Sequence, residues 1–201
     1  MSSRARFVFV IASIALFTGA QARPADDFAK RLVAAADDRP NHPARYDPGY
    51  VKIDYPNGDV PADSGVCTDE IIRIYRAVGI DLQKEVHEDM AATRSAYPFK
   101  LKWMQVRLDT NIDHRRVPNL LVFFSRKGTS LPLTQNAADY EPGDIVTWML
   151  RSGRDHIGMV VDRKSWSGRP MVEHNIGEGP KIENVLFDWK ITGHYRYRPV
   201  K

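Results

Sequence analysis

Between residues 26 and 36 the apolar positions Phe28, Leu32 and Val33 keep the spacing of one helix face, with Asp26 or Asp27 placed to cap its start. A polar stretch with several prolines follows over residues 37–61, carrying Tyr46, Tyr50 and Tyr55 and a turn at Pro56-Asn57-Gly58-Asp59. Ile71, Ile72, Tyr75 and Val78 then fall at i, i+1, i+4 and i+7, a second helical stripe that Gly79 is placed to end. Residues 81–92 predict another helix, and Tyr97-Pro98 breaks it. Beyond that point the pattern changes. Residues 119–124, 144–150, 156–162, 171–176 and 194–197 are short apolar runs separated by Gly, Pro, Ser and Asp, and each predicts a strand. Helices first and strands afterwards predict an α+β fold with an antiparallel sheet.

The first 22 residues stand apart. Arg4 and Arg6 precede an uncharged, mostly apolar run over residues 7–17, and Ala20-Gln21-Ala22 fits a small-x-small cleavage site. The run is too short for a membrane-spanning helix, which needs about 20 residues. The pattern predicts an export signal over residues 1–22 and a single mature domain over 23–201, secreted or, in a Gram-negative cell, periplasmic. No cysteine lies near the cleavage site to carry a lipid, so no stable membrane anchor is expected after cleavage.

Charge adds little. The chain has 29 basic and 25 acidic residues, and loss of Arg4 and Arg6 leaves 27 against 25. With no Lys/Arg run and no second long apolar segment, neither nucleic acid nor a membrane is indicated as a partner. Neither a His-Glu-x-x-His motif nor clustered cysteines are present, so neither a metal nor another cofactor is expected.

Cys67 is the only cysteine, and in an oxidising compartment it has no partner in its own chain. It opens the second helical stripe, where free N–H groups and the positive end of the helix dipole favour a thiolate, so a depressed pKa is expected. Its neighbours Ser64, Gly65, Thr68 and Asp69 are small or polar. Position alone leaves two readings open, a catalytic thiol and an inert buried one. A thiol nucleophile needs an imidazole base and a third group to orient it. His42 and His87 have polar surroundings and His194 lies among aromatics, whereas His156 heads one apolar run and His174 closes the next.

The order Cys67, then Pro142-Gly143-Asp144-Ile145-Val146-Thr147-Trp148, then His156-Ile157-Gly158-Met159-Val160-Val161, then Val172-Glu173-His174 resembles the papain-like core of the NlpC/P60 cysteine peptidases. The resemblance implies a Cys67-bearing helix packed on an antiparallel sheet, with Cys67 as nucleophile and His156 as base. His174, or the adjacent Asn175, would orient the imidazole. Tyr55, twelve residues before Cys67, matches a tyrosine found beside the nucleophile in that family, and the oxyanion would lie at the helix N-terminus. Nearly all of residues 23–201 is also similar to the exported bacterial family DUF1287, most specifically at Tyr55-Pro56-Asn57-Gly58-Asp59-Val60-Pro61, Ile112-Asp113-His114-Arg115-Arg116-Val117-Pro118-Asn119 and Trp189-Lys190-Ile191-Thr192-Gly193-His194-Tyr195.

These likenesses imply acyl transfer to water at an amide bond, with peptidoglycan stem peptides or another peptide as partner. A catalytically silent wall-binding module and a thiol-dependent acyltransferase are the alternatives on the same fold. The chain departs from the NlpC/P60 pattern in having Val66 before the cysteine and Thr68-Asp69 after it. It also holds about sixty residues between the helix and the Pro-Gly-Asp strand. Within them Asp113-His114-Arg115-Arg116 is a candidate substrate-binding cluster, since arginine forks pair bidentately with carboxylates.

Overall fold

Caps and stripes set the helices of the N-terminal half. In the computed structural model, which describes residues 24–98 and 107–199, α1 spans Pro24–Asp38, α2 Cys67–Ala77 and α3 Leu82–Ala92. The expected export signal lies outside the described residues. Asp81 caps α3 by accepting the Lys84 backbone N–H at 3.2 Å, and Gly79, at φ +84°, turns the chain between α2 and α3 in a left-handed conformation that favours glycine. In the polar stretch before α2, β1 (Arg45–Tyr46) pairs in parallel with β2 (Ser64–Gly65), which leads directly into the helix.

Residues 119–124 correct the sequence reading. They lie in a helix, α4 (Val117–Lys127), rather than in a strand. An unbroken apolar run has no period of its own to separate the two states. The flanks decide: Pro118 fits the first turn and Gly128 follows the end, and Val117, Leu120, Phe123 and Phe124 are buried as one helical stripe.

The remaining strands are β3 (Thr129–Ser130), β4 (Ile145–Met149), β5 (Asp155–Lys164), β6 (Pro170–Asn175), β7 (Pro180–Glu183) and β8 (Lys190–Arg196). They form one antiparallel sheet in the order β3-β8-β4-β5-β6-β7. The α+β expectation holds. Alternation along the strands sends Ile145, Ile157, Met159 and Val161 to the face covered by the helices, where they meet Leu32, Ile71, Ile74 and Leu120. Val146, Trp148, Val160 and Val172 turn to the other face and pack under Tyr140, Leu186 and Ile191. Among the described residues no helix is long and apolar enough to cross a membrane.

One buried group on the helix face opposes the fold. Glu173 of β6 is fully buried, and neither of its carboxyl oxygens has a hydrogen-bond partner among the described residues. Burial and then the neighbouring Glu70, against the pull of Arg39, hold it well above the ordinary value of 4.5. A carboxyl whose pKa is higher folded than unfolded stabilises fully below the unfolded value, and that stability is lost as the pH rises toward the folded one. The loss is about 1.4 kcal/mol per pH unit. Glu173→Gln, of the same shape and without the titration, is therefore expected to match the parent near pH 4 and exceed it by about 1 to 3 kcal/mol at pH 7. Urea unfolding at the two pH values measures the gap.

Candidate active site

Cys67 occupies the first position of α2. Val66 precedes it in extended conformation, and the Asp69 side chain reaches back to accept the Val66 N–H at 2.7 Å, satisfying one of the donors a helix start leaves open. Arg115 holds that carboxylate in a two-pronged pair, Nε–H to Oδ1 at 2.8 Å and Nη2–H to Oδ2 at 3.0 Å. Arg115 also donates from Nη1 to the Gly49 carbonyl at 3.0 Å, and the Thr68 hydroxyl donates to the Arg115 carbonyl at 3.2 Å. The helix start is thus clamped to two loops.

This overturns the substrate-binding expectation for Arg115, because its guanidinium is buried and fully engaged inside the protein. Its neighbours behave alike. The Asp113 carboxylate accepts the Asp109 N–H and pairs with His87, each at 2.9 Å. His114 is 2% exposed, and burial lowers its pKa to about 4. Arg116 alone of the four side chains is exposed.

The sulfur lies where β5 and β6 part. The N–H of Val160 bonds to the Asp144 carbonyl on the β4 side, so by alternation Ile157 directs its N–H toward β6. The β5–β6 register contains Met159↔Glu173 and Val160↔Val172 but does not extend to Ile157. The Ile157 N–H goes instead to the Cys67 sulfur, which also receives the N–H groups of Thr68 and Cys67. The thiol therefore touches the backbone of the residue after His156, whereas the His156 ring, alternating with Ile157, lies on the Trp148 and Val160 face of the sheet and makes no hydrogen bond to the sulfur.

His156 and His174 meet across the same seam, Nε2 to Nδ1 at 2.9 Å. Gly158 permits this, since a Cβ there would stand 2.7 Å from the Glu173 carbonyl oxygen and 3.2 Å from His174 Cβ. His174 Nε2 in turn lies 3.0 Å from Glu183 Oε2 on β7. The chain of contacts fixes the tautomers. A carboxylate only accepts, so His174 carries its proton on Nε2 and presents Nδ1 as an acceptor. His156 then donates from Nε2 and keeps its lone pair on Nδ1. Trp189 closes on both rings edge-on, at 5.7 Å from His156 and 6.0 Å from His174, and Trp148 backs His156 at 5.9 Å.

Asn175 does not take part in this chain. Its Oδ1 accepts the Gly177 N–H at 3.1 Å, and alternation places it on the other side of β6 from His174. Tyr55 packs edge-on against His87 of α3, at 5.3 Å, so its surroundings are α3 rather than the thiol. The tyrosine near Cys67 is Tyr46. The β1–β2 pairing sets Tyr46 against Gly65, and its phenol feels both the Cys67 sulfur and the Arg154 guanidinium. Tyr46 also lines a cavity of about 550 Å³ with Arg45, Pro43, Gly177, Glu178 and Pro180.

Electrostatically the site starts neutral. Burial pushes the Cys67 thiol up to about 12, outweighing the N–H groups at the helix start, and the nearby Asp69 carboxylate adds to the rise. This reverses the expectation of a depressed thiol. Burial, then His174, lowers His156 to about 3, and burial also lowers His174 against the opposing pull of Glu183. At neutral pH the thiol and the His156 imidazole are therefore both uncharged.

A family model described as "Domain of unknown function (DUF1287)" matches residues 33–197. The chain is also similar to the uncharacterized protein YijF of Escherichia coli (strain K12), 53% identical over 152 residues, covering 76% of this chain and 73% of that protein.

Proposed function

Since the chain belongs to the DUF1287 family, for which the description gives no activity, we propose from the site itself that it is an exported cysteine hydrolase of NlpC/P60-like, papain-like architecture, cleaving an amide bond in peptidoglycan stem peptides. Two observations support this reading: the Cys67 sulfur at the start of α2 receives the backbone N–H of Ile157, and the preceding residue, His156, heads a chain in which His174 and Glu183 set its tautomer. In the proposed reaction the Cys67 sulfur attacks the amide carbonyl carbon and the thiol proton reaches His156 Nδ1 through one water, since ring and sulfur are not in hydrogen-bond contact. His174 and Glu183 hold the imidazolium that forms, and the N–H groups of the helix start face the developing oxyanion. His156 returns the proton to the leaving amine, and water then cleaves the thioester to give a carboxylic acid and the free thiol.

The burial of Cys67 and its raised pKa favour a second reading, a wall-binding module with a silent thiol. Soluble stem peptides incubated with the parent protein and with Cys67→Ala, then analysed by mass spectrometry, separate the two. Hydrolysis adds the mass of water and yields two fragments with the parent protein and none with Cys67→Ala. Intact peptides with both proteins would refute the hydrolase.

A further inference from the structure

We infer that the side-chain amide of Asn175 is an oxyanion donor at the Cys67 site, holding, with the N–H groups of the α2 start, the negative oxygen that forms when the thiol attacks a carbonyl; the inference rests on the thiol reading proposed above. The β5–β6 seam brings the two residues together. The Val160 N–H points to β4, so Met159 and Glu173 face each other as a hydrogen-bonded pair, and the next such pair along the seam is Ile157 and Asn175. There the Ile157 N–H goes to the Cys67 sulfur, which takes the place that the Asn175 carbonyl oxygen holds in an unbroken ladder. β6 itself runs on through Asn175, which pairs with Pro180 of β7. Alternation then sets the Asn175 side chain on the helix face of the sheet, with Ile157, Met159 and Cys67.

Asn175 is fully buried and half satisfied. The bond from Gly177 N–H to its Oδ1 fixes the orientation of the amide, and its Nδ2 has no hydrogen-bond partner among the described residues. A buried donor left without a partner costs free energy that a bound acceptor recovers. Glu173, the other unsatisfied group on this face of β6, is a carboxyl beside Glu70 and lies one pair further from the thiol, opposite Met159. The cavity of about 550 Å³ opens between the same two segments. Tyr46, paired with Gly65 of the strand that leads to Cys67, forms one wall, and Gly177 and Pro180 form the other. The segments approach closely, since a Cβ on Gly179 would stand 3.1 Å from the Ala44 carbonyl oxygen. An acyl group entering from this side meets the sulfur between the helix start and the Asn175 amide, with donors on two sides of its carbonyl oxygen.

The test compares two reactions of the single thiol. With p-nitrophenyl acetate the sulfur adds to the ester carbonyl carbon, and the tetrahedral oxyanion collapses to S-acetyl Cys67 and p-nitrophenolate. Iodoacetamide forms a sulfur–carbon bond with loss of iodide and passes through no oxyanion. Both rates are measured at pH 8 by mass spectrometry of the digested peptide containing Cys67, and the acetylation-to-alkylation ratio cancels changes in the thiolate fraction and in access to the sulfur. The parent ratio is expected to exceed that of N-acetylcysteine about a hundred-fold. Asn175→Asp, which keeps the acceptor for Gly177 N–H and loses the donor, and Asn175→Ala are each expected to lower the parent ratio about a hundred-fold, whereas Ile176→Ala, at the exposed next residue, leaves it unchanged. Near-ultraviolet circular dichroism identifies the folded variants. Equal ratios for the parent and a folded Asn175 variant, or a parent ratio no higher than that of N-acetylcysteine, would overturn the donor. A parent protein whose Cys67 reacts with neither reagent would instead overturn the thiol reading beneath it, so the two failures are distinguishable.

Discussion

His156→Ala is expected to lower kcat on a susceptible stem peptide by about 10³- to 10⁴-fold with little change in KM, the upper range for loss of a positioned general base. The effect should diminish along the chain of contacts. His174→Ala removes the acceptor that fixes the His156 tautomer and should cost about 10- to 100-fold. Glu183→Gln, at a side chain 42% exposed, should cost less than ten-fold. The pH profile carries an independent mark. With His156 near 3, the neutral imidazole persists through the range in which an ordinary histidine takes up its proton, so kcat should show no acid limb between pH 5 and 7. Steady-state rates for the three variants across pH check both the order and the flat profile. Equal losses at Glu183 and His156, or an acid limb near pH 6.5, would contradict the relay as drawn.

Arg115→Met is expected to destabilise the protein by about 3 to 5 kcal/mol, because it leaves the buried Asp69 carboxylate unpaired at the start of α2. Both side chains are 2% exposed, so water cannot take over the lost bonds. Against a usual total of about 5 to 15 kcal/mol this is a severe loss. Arg116→Ala, at an exposed neighbour, should stay within about 0.5 kcal/mol. Urea denaturation of the two variants checks the contrast. A stable Arg115→Met protein with only a raised KM would restore the substrate-binding role that the sequence suggests.

That contrast shows where sequence reading stops. An arginine in a dense polar tetrad reads as surface, since its partner Asp69 is supplied by a helix far away in the chain. Helices α1, α2 and α3 were legible from stripes and caps, whereas the run at residues 119–124 lacked a period and its helical state showed only in Pro118 and Gly128. Glu183 left no signal in the sequence. It reaches His174 because the chain turns back through Gly177 and Gly179, both at positive φ, and β7 pairs with β6. Distance along the chain favours Tyr55, but the β1–β2 pairing sets Tyr46 against Gly65, on the thiol's side of the chain. The helix start at Cys67 was legible and its burial was not, so the direction of the thiol pKa came out reversed.

The central claim is that Cys67 forms a covalent acyl intermediate, and intact-protein mass spectrometry of reactions quenched in acid within the first turnovers tests it most directly. A mass increment equal to the acyl fragment of the cleaved peptide is expected, mapped by digestion to the peptide containing Cys67 and absent from Cys67→Ala. Cleavage products that accumulate with no increment on the parent protein, and equally with Cys67→Ala, would contradict it.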